Sequence, residues 1–155
     1  MPSNKPAPAT DPALMLDHQL CFALYSASLA MTKRYKPLLE ALGLTYPQYL
    51  VMLVLWEHSG VTVSQLGERL FLDSGTLTPL LKRMEAAGLL QRIRSMKDER
   101  RVQITLTAAG RRLKASAGRV PSCVVQAAGC PLPELVALTR QLQALRTRLG
   151  ADQAR

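Results

Sequence analysis

The feature that most restricts the fold of this chain is a change of hydrophobic period near Gly88. Between residues 62 and 86, apolar side chains recur at steps of three and four, as on one face of a helix, and a turn at residues 71–73 divides the stretch into two helices. After Gly88 the step becomes two, which is typical of β-strands, over residues 89–94 and again over 102–106. Two short helices followed by a hairpin leave few possible architectures.

Capping signals support both helices. Thr62 and Gln65 have the spacing of a capping box, Asp73 is suited to cap the second helix, and Gly88 supplies a left-handed stop. The order helix, turn, helix, hairpin is that of a winged helix-turn-helix, whose second helix lies in the DNA major groove. The sequence therefore predicts a mainly α fold with a small β-wing, and double-stranded operator DNA as its partner.

The second helix and the hairpin carry the side chains that we expect to contact DNA. On the helix these are Ser74, Thr76, Thr78, Lys82 and Arg83. On the hairpin they are Arg92, Arg94, Lys97, Asp98, Arg100 and Arg101. We expect Arg100 to enter a minor groove, where the negative potential attracts arginine, and Asp98 to orient its guanidinium group. The alternative is a charged hairpin tip that is only solvated.

Positive charge is concentrated in this part of the chain. Residues 61–119 contain 12 Lys or Arg and 5 Asp or Glu, a surplus of 7 out of a net charge of +9. Charge gathered on one module indicates a nucleic-acid binder, whereas evenly spread charge affects mainly solubility. A membrane surface also attracts cations, but no basic amphipathic helix of the interfacial kind is evident, so no membrane partner is expected.

Length and composition predict one domain. The chain has 155 residues, 48% of them hydrophobic, which suffices for one sizeable core. Residues 1–12 are rich in proline and are predicted to be a disordered tail, followed by a single domain over 13–155. Within it we expect N-terminal helices over 13–58, the winged helix-turn-helix over 61–107 and C-terminal helices over 108–149.

Helical spacing predicts further elements on both sides of the winged module. The N-terminal part should contain helices over 14–31 and 33–42, with a kink or restart at Pro37, and a buried helix over 49–56. The last helix carries an apolar stripe made of Leu138, Leu142, Leu145 and Leu149. Such a stripe on a terminal helix predicts a homodimer, and the terminal helices are then the dimerisation region.

Cysteine and histidine usage limits the remaining chemistry. Three cysteines are an odd number, and neither they nor the two histidines show metal-ligand spacing, so we expect no disulfide framework, no metal and no cofactor. The N-terminus lacks the apolar core of a signal peptide and no apolar run approaches a membrane span. The expected compartment is the cytoplasm.

Several segments together resemble a known family. Asp98-Glu99-Arg100-Arg101 leading into residues 104–110, with the predicted element order, resembles the MarR-family repressors over roughly residues 14–149. Residues 16–26 and 44–52, with Tyr35 between them, resemble the organic hydroperoxide resistance regulators within that family. The resemblance implies a redox-sensing repressor rather than an enzyme, with organic hydroperoxides as the oxidant.

The resemblance also assigns roles to particular side chains. Cys21, near the middle of the first predicted helix, is the implied redox sensor, and Tyr35 and Tyr46 of the partner subunit are implied to bind its sulfur. Tyr25 lies one turn beyond Cys21 on the same helix face, so it can reach the sulfur locally. On spacing alone, a single cysteine on an apolar helix face is usually an inert small hydrophobe. Phenol O–H groups aimed at the sulfur would instead favour the thiolate, which a peroxide converts to a sulfenic acid.

A second cysteine on the helix after the wing is implied to resolve the sulfenic acid. The chain has Cys123 and Cys130 there, and we prefer Cys123 because Cys130 precedes a proline at an expected helix junction. Two other functions remain open. A thiol peroxidase leaves the basic module unexplained, whereas a MarR-type repressor released by a small phenolic ligand would make Cys21 merely structural.

Overall fold

The computed structural model describes residues 9–151 and consists mainly of helices with one small sheet. The helices are α1 (Leu20–Glu40), α2 (Tyr46–Glu57), α3 (Val63–Leu70), α4 (Ser74–Ala86), α5 (Ala108–Ala117), α6 (Val120–Ala128) and α7 (Leu132–Ala151). The strands are β1 (Val61–Thr62), β2 (Leu90–Arg94) and β3 (Val102–Leu106). The predicted fold class is therefore confirmed.

The capping residues act as the sequence predicts. Thr62 and Gln65 form a complete capping box at the start of α3, and a second box of Thr45 with Gln48 begins α2. The Asp73 side chain accepts the backbone N–H of Thr76 at 2.7 Å and so caps α4. These bonds satisfy backbone donors that a helix start leaves free, and they fix where the two helices of the helix-turn-helix begin.

The N-terminal prediction needs correction at two points. The first helix begins at Leu20 instead of residue 14, because Asp11 caps a 3-10 turn at Pro12–Leu14 and the Gln19 amide donates to the carbonyls of Ala13 and Met15. The predicted tail therefore does not extend to Pro12, and its residues 1–8 lie outside the described residues.

The second correction concerns Pro37, at which the helix does not restart. α1 runs without a break from Leu20 to Glu40, with Pro37 inside it. A proline removes one N–H···O=C bond, and here only three residues of helix follow it, so the bonds on either side keep the segment helical. The two predicted segments are thus one long helix.

The sheet has one strand that the sequence pattern missed. Its order is β1-β3-β2, all antiparallel, with Val61 opposite Ile104 and Leu90 opposite Leu106. A strand of two residues is too short to show an alternating period, which explains why β1 was not predicted. β1 leads directly into α3, so the sheet ties the wing to the first helix of the helix-turn-helix.

One apolar core joins the N-terminal helices, the helix-turn-helix and the wing. Its fully buried side chains include Leu39, Met52, Leu55, Leu66, Leu77, Leu81, Met84, Leu90 and Ile104. α7 takes no part in it: the helix has no buried residue, and large apolar side chains such as Val136, Leu138, Leu142 and Leu149 are exposed. Within the described residues, the core does not cover this apolar face of α7.

No single helix within residues 9–151 has the length and apolar character needed to cross a membrane. The bent pair Ala108–Ala128 and Leu132–Ala151, which meet at 97°, reaches that length and apolar character only when both segments are taken together.

Candidate nucleic-acid interface and thiol site

An open cleft of about 840 Å³ lies between α4 and the wing. Seven of the predicted DNA-contact residues line it: Ser74, Thr78, Lys82, Arg92, Arg94, Arg100 and Arg101. The three from α4 and the four from the wing come from separate parts of the sequence, and the antiparallel pairing of β2 with β3 brings the arginines opposite the helix. The cleft therefore presents hydroxyl groups on one wall and positive charge on the other, which suits a phosphate backbone.

The start of α4 is held rigidly at the edge of this cleft. The N–H group of Thr76 donates to the Asp73 carboxylate, and this bond is the main reason why the pKa of Asp73 lies below its ordinary value. Asp73 therefore stays ionised as a cap. Thr76 and Arg83 are exposed on α4 but do not line the cleft.

Arg92 has a partner that the sequence analysis did not predict. Its guanidinium group donates to Oε1 of Glu85 at 3.2 and 3.3 Å, and its backbone N–H donates to Oε2 at 2.8 Å. The backbone bond is the largest cause holding the pKa of Glu85 below its ordinary value. Arg92 thus ties the first strand of the wing to the end of α4, and its charge is already neutralised at the cleft.

The wing tip is organised by backbone contacts. Ser95 N–H donates to the carbonyl of Arg101 at 2.8 Å, and Arg101 N–H donates to the carbonyl of Asp98 at 2.9 Å. The Asp98 carboxylate accepts the backbone N–H of Arg100 at 3.1 Å, so it orients the backbone rather than the guanidinium group that we expected it to bind. A carboxylate two residues before an N–H forms this local turn readily. Lys97 and Asp98 are exposed outside the cleft.

Sequence reasoning missed several polar side chains of the cleft. Ser64, Gln65 and Glu68 of α3, and Gln103 of β3, line it together with the predicted residues. Gln65 is already engaged in the capping box of α3, whereas Glu68 adds a negative charge to a basic surface. The signal for these residues was the helical period of α3, which puts Ser64 and Glu68 one turn apart on one face.

Cys21, the predicted sensor, lies at the start of α1. Cys21 is exposed in the first turn of α1, not near the middle of the helix as the sequence suggested, and its sulfur is a free thiol. Tyr25 follows one turn later and is 63% exposed. Among the hydrogen bonds found within residues 9–151, none joins the Tyr25 hydroxyl to the Cys21 sulfur.

Tyr35 and Tyr46 form an aromatic cluster with Tyr49. The ring centroids of Tyr35 and Tyr46 are 4.9 Å apart, and those of Tyr35 and Tyr49 are 5.9 Å apart. Burial raises the pKa of Tyr35 and Tyr46 above the ordinary 10.0, and the neighbouring phenols raise that of Tyr35 further. Both hydroxyls are therefore protonated donors at neutral pH. Tyr49 is 3% exposed and belongs to the core, as expected.

Within one chain the cysteine and this cluster are far apart. Cys21 and Tyr35 lie on the same continuous helix, and fourteen residues at a rise of 1.5 Å separate them by about 21 Å along its axis. The structure thus brings Tyr35 and Tyr46 together but does not bring either to Cys21 of the same chain. A contact between them requires a second copy.

The other two cysteines lie beyond the wing. Cys123 is half-buried within α6, which packs against α1. Cys130 follows Gly129, whose φ of 66° ends α6, and it lines a groove of about 680 Å³ between α1, α6 and α7. The predicted helix junction at Cys130 is confirmed. In the described residues no three His, Cys, Asp or Glu side chains are grouped so that they could hold a metal ion.

Comparisons with known proteins agree with this arrangement. The family described as "Transcriptional regulator SarA/Rot" matches residues 33–116. The organic hydroperoxide resistance transcriptional regulator of Bacillus subtilis (strain 168) is 56% identical over 112 residues, which cover 72% of this chain and 76% of that protein. The chain belongs to the organic hydroperoxide resistance regulators of the MarR family. Both matches are named as transcriptional regulators. The family that the sequence resemblance predicted is therefore confirmed.

Solved structures of a related regulator have the same fold. AbfR of Staphylococcus epidermidis, solved in its reduced form bound to DNA, is 37% identical in sequence to this chain. The two structures match with a TM-score of 0.73, over 86% of this chain and 94% of that one. The disulfide form of AbfR is 37% identical with a TM-score of 0.61, covering 84% and 91%. This organic hydroperoxide resistance regulator therefore shares its fold with a protein solved both on DNA and in a disulfide state.

Proposed function

We propose that this protein is a dimeric repressor that binds operator DNA when reduced and releases it when organic hydroperoxides oxidise Cys21. The DNA-binding part rests on the cleft between α4 and the wing, where Arg94 and Arg100 of the wing face Lys82 and the hydroxyl groups of α4 across an open groove. Support also comes from the relatives, which are named as a hydroperoxide resistance regulator and as a regulator bound to DNA.

The observation that carries the proposal is the separation of Cys21 from the tyrosine pair along one helix. A sulfur at the start of α1 and phenols near its end meet only if two copies of α1 lie antiparallel, which a two-fold axis perpendicular to the helix produces. The exposed apolar face of α7 supplies a surface that such a dimer would bury. Tyr35 and Tyr46 of each subunit then donate hydrogen bonds to Cys21 of the other.

The chemistry follows from these donors. The Cys21 thiolate attacks one oxygen of the hydroperoxide, an S–O bond forms, the O–O bond breaks, and the alkoxide takes up a proton and leaves as the alcohol. Sulfur is oxidised by two electrons and the peroxide is reduced by two. The thiol of Cys123 or Cys130 of the partner subunit then attacks the sulfenic sulfur, which forms a disulfide and expels water. Cys123 is our preferred resolving residue.

Disulfide formation couples the sulfur to DNA through distance. A disulfide needs Cα atoms within about 7 Å, so helices that start farther apart must move. A two-fold regulator reads half-sites about 34–36 Å apart, and its recognition helices must keep that spacing. A movement of several ångströms in the helices that join the subunits therefore disturbs both half-sites together.

The test compares the wild-type protein with Cys21→Ser on a labelled operator duplex. We expect both to bind DNA when reduced, and cumene hydroperoxide to release only the wild-type protein, reversibly with dithiothreitol. Cys21→Ser differs from the wild type by one atom, so its fold and DNA affinity serve as the control. Release of the variant by the peroxide would contradict the role of Cys21.

A second candidate function is release by a small aromatic ligand. The groove between α1, α6 and α7 is lined by Leu24, Ala27 and Met31 and has a volume of about 680 Å³, within the usual range for small-molecule sites. Release by an aromatic acid under reducing conditions would favour this function. Release that requires peroxide favours the sulfur.

A further inference from the structure

Phe71, in the turn of the helix-turn-helix, is neither the residue type that its backbone conformation favours nor a part of the core. Phe71 ends α3 with φ 57° and ψ 38°, and it is the one non-glycine residue within residues 9–151 whose φ is positive. Its N–H and that of Leu72 both donate to the carbonyl of Gly67, which makes a left-handed helix end. Glycine or asparagine adopts this conformation at lower cost than a bulky side chain.

The Phe71 side chain also gains little from burial. It is 67% exposed, which is unusual for a large aromatic residue placed at a strained turn. Its one distinctive contact is with the last helix: the guanidinium carbon of Arg146 lies 4.2 Å from the centroid of the ring. An arginine over an aromatic face at this distance is a cation–π contact. The ring therefore joins the turn of the DNA-reading module to α7.

Arg146 is also close to the helix that carries the sensor. It lines a groove of about 490 Å³ together with Leu24 of α1 and with Leu142 and Leu149 of α7. Leu24 lies three residues after Cys21, on the neighbouring turn of α1. One arginine thus borders the sensor helix through the groove and covers the turn of the helix-turn-helix through its guanidinium group.

The position of Phe71 determines what such a contact controls. Phe71 stands two residues before Asp73, the residue that caps α4. Because the Asp73 cap fixes the first turn of α4, displacement of the Phe71 backbone displaces the DNA-reading end of that helix. The contact therefore acts on the orientation of α4 relative to α7.

We infer that Arg146 and Phe71 are positioning residues for DNA binding: their contact holds the helix-turn-helix at the angle to α7 that reading both half-sites requires. This inference rests on the proposed function, since it takes α7 as part of the dimerisation region. Neither residue touches the reacting sulfur. Removing the contact lets the DNA-reading modules sample other angles, which lowers the fraction of dimers that match both half-sites.

The expected loss follows from the strength of an exposed cation–π contact. It corresponds to about two- to fivefold in the population of the correct orientation for each subunit, and about four- to twenty-five-fold for a dimer that loses both contacts. The rate at which hydroperoxide oxidises Cys21 should not change. This combination differs from a general loss of stability, which would alter the unfolding temperature and both functions.

The experiment uses reduced full-length protein and a labelled duplex that the reduced wild-type protein selects from random sequence. The test variants are Arg146→Gln and Phe71→Leu, alone and together, with Arg148→Gln as the matched control, since Arg148 is an exposed arginine on the same helix. Arg146→Lys and Phe71→Tyr keep a cation and a ring. Affinity is measured at fixed salt, beside the unfolding temperature and the rate of Cys21 oxidation.

We expect Arg146→Gln and Phe71→Leu to weaken DNA binding by similar factors, the double variant to lose little more, and the two conservative variants to bind nearly as the wild type does. Equal losses in Arg146→Gln and Arg148→Gln would show that only charge matters and would overturn the inference, as would fully additive losses in the double variant. If the wild-type protein itself keeps its DNA in hydroperoxide, the proposed function fails instead, independently of these variants.

Discussion

Replacing Gly110 with alanine tests how closely the helix after the wing packs on the wing. Gly110 lies in the first turn of α5, and a Cβ atom built there would stand 2.1 Å from the carbonyl oxygen of Leu89 and 3.1 Å from Cδ2 of Leu106. The first contact is with backbone, so no side chain can rotate away. α5 and the start of β2 must move apart by about 1 Å to reach an ordinary contact distance.

The magnitude follows from the groups involved. Forced overpacking costs about 1–3 kcal/mol. The same shift loosens the bond from the Trp56 indole N–H to the Gly110 carbonyl, 3.0 Å long, which contributes about 0.5–1.5 kcal/mol. Alanine recovers up to about 1 kcal/mol through its better helix propensity. A net loss of about 0.5–4.5 kcal/mol remains. For a chain of this size, that lowers the unfolding temperature by roughly 1–18 °C.

The assay uses the only tryptophan of the chain as a local reporter. Thermal unfolding followed by Trp56 emission, at equal protomer concentration for each variant, should show the lower midpoint and an altered emission of the folded Gly110→Ala protein. Gly150→Ala is the matched control, because a Cβ at Gly150 meets nothing within 4 Å. A Gly110→Ala protein with wild-type midpoint and emission would refute the close approach of α5 to Leu89.

Three further predictions concern sulfur, phenols and wing. On non-reducing gels of peroxide-treated protein, Cys123→Ser should abolish the disulfide-linked dimer and Cys130→Ser should retain it, and the opposite result assigns the resolving role to Cys130. Tyr35→Phe and Tyr46→Phe should each slow the oxidation of Cys21. Unchanged rates in both variants would show that these hydroxyls do not act on the sulfur. Because burial raises the pKa of both phenols above 10.0, the free energy of unfolding should be independent of them below pH 10 and should fall as pH rises through their folded-state pKa values, less steeply in these variants. Arg100→Ala should weaken operator binding by about 1–3 kcal/mol per half-site. Asp98→Ala should lose part of the same binding free energy. Asp98→Asn keeps the oxygen that accepts the Arg100 N–H, so it should bind DNA at least as well as the wild type. Wild-type affinity in Arg100→Ala would remove the wing from the interface.

The module that contacts DNA could be predicted because its signals are local. The change of period at Gly88, the Thr62 capping box and the Asp73 cap each involve residues within a few positions, and the structure has all three. β1 could not be predicted, because a strand of two residues shows no alternating period. The pairing of Arg92 with Glu85 could not be predicted either, because it depends on how the strand folds back on α4. Such contacts are set by tertiary packing.

The thiol site was predicted by resemblance and not by physics of the single chain. Cys21 alone is an exposed thiol in the first turn of a helix, and the spacing of Tyr35 along α1 places it far from that sulfur. In the proposed dimer a second subunit completes the site, so no local pattern could identify it. The positive φ at Phe71 likewise could not be predicted, since the sequence shows only an aromatic residue in a turn.

The central claim is that hydroperoxide acts on DNA binding through Cys21 and a disulfide between subunits. Its most direct test is intact-mass analysis under non-reducing conditions, with peptide mapping, of protein sampled as a stoichiometric amount of cumene hydroperoxide releases it from a labelled operator. We predict that the released fraction equals the fraction of covalent dimer, with Cys21 of one chain joined to Cys123 or Cys130 of the other. Released protein that is still a non-covalent dimer with Cys21 as a free thiol would contradict the claim.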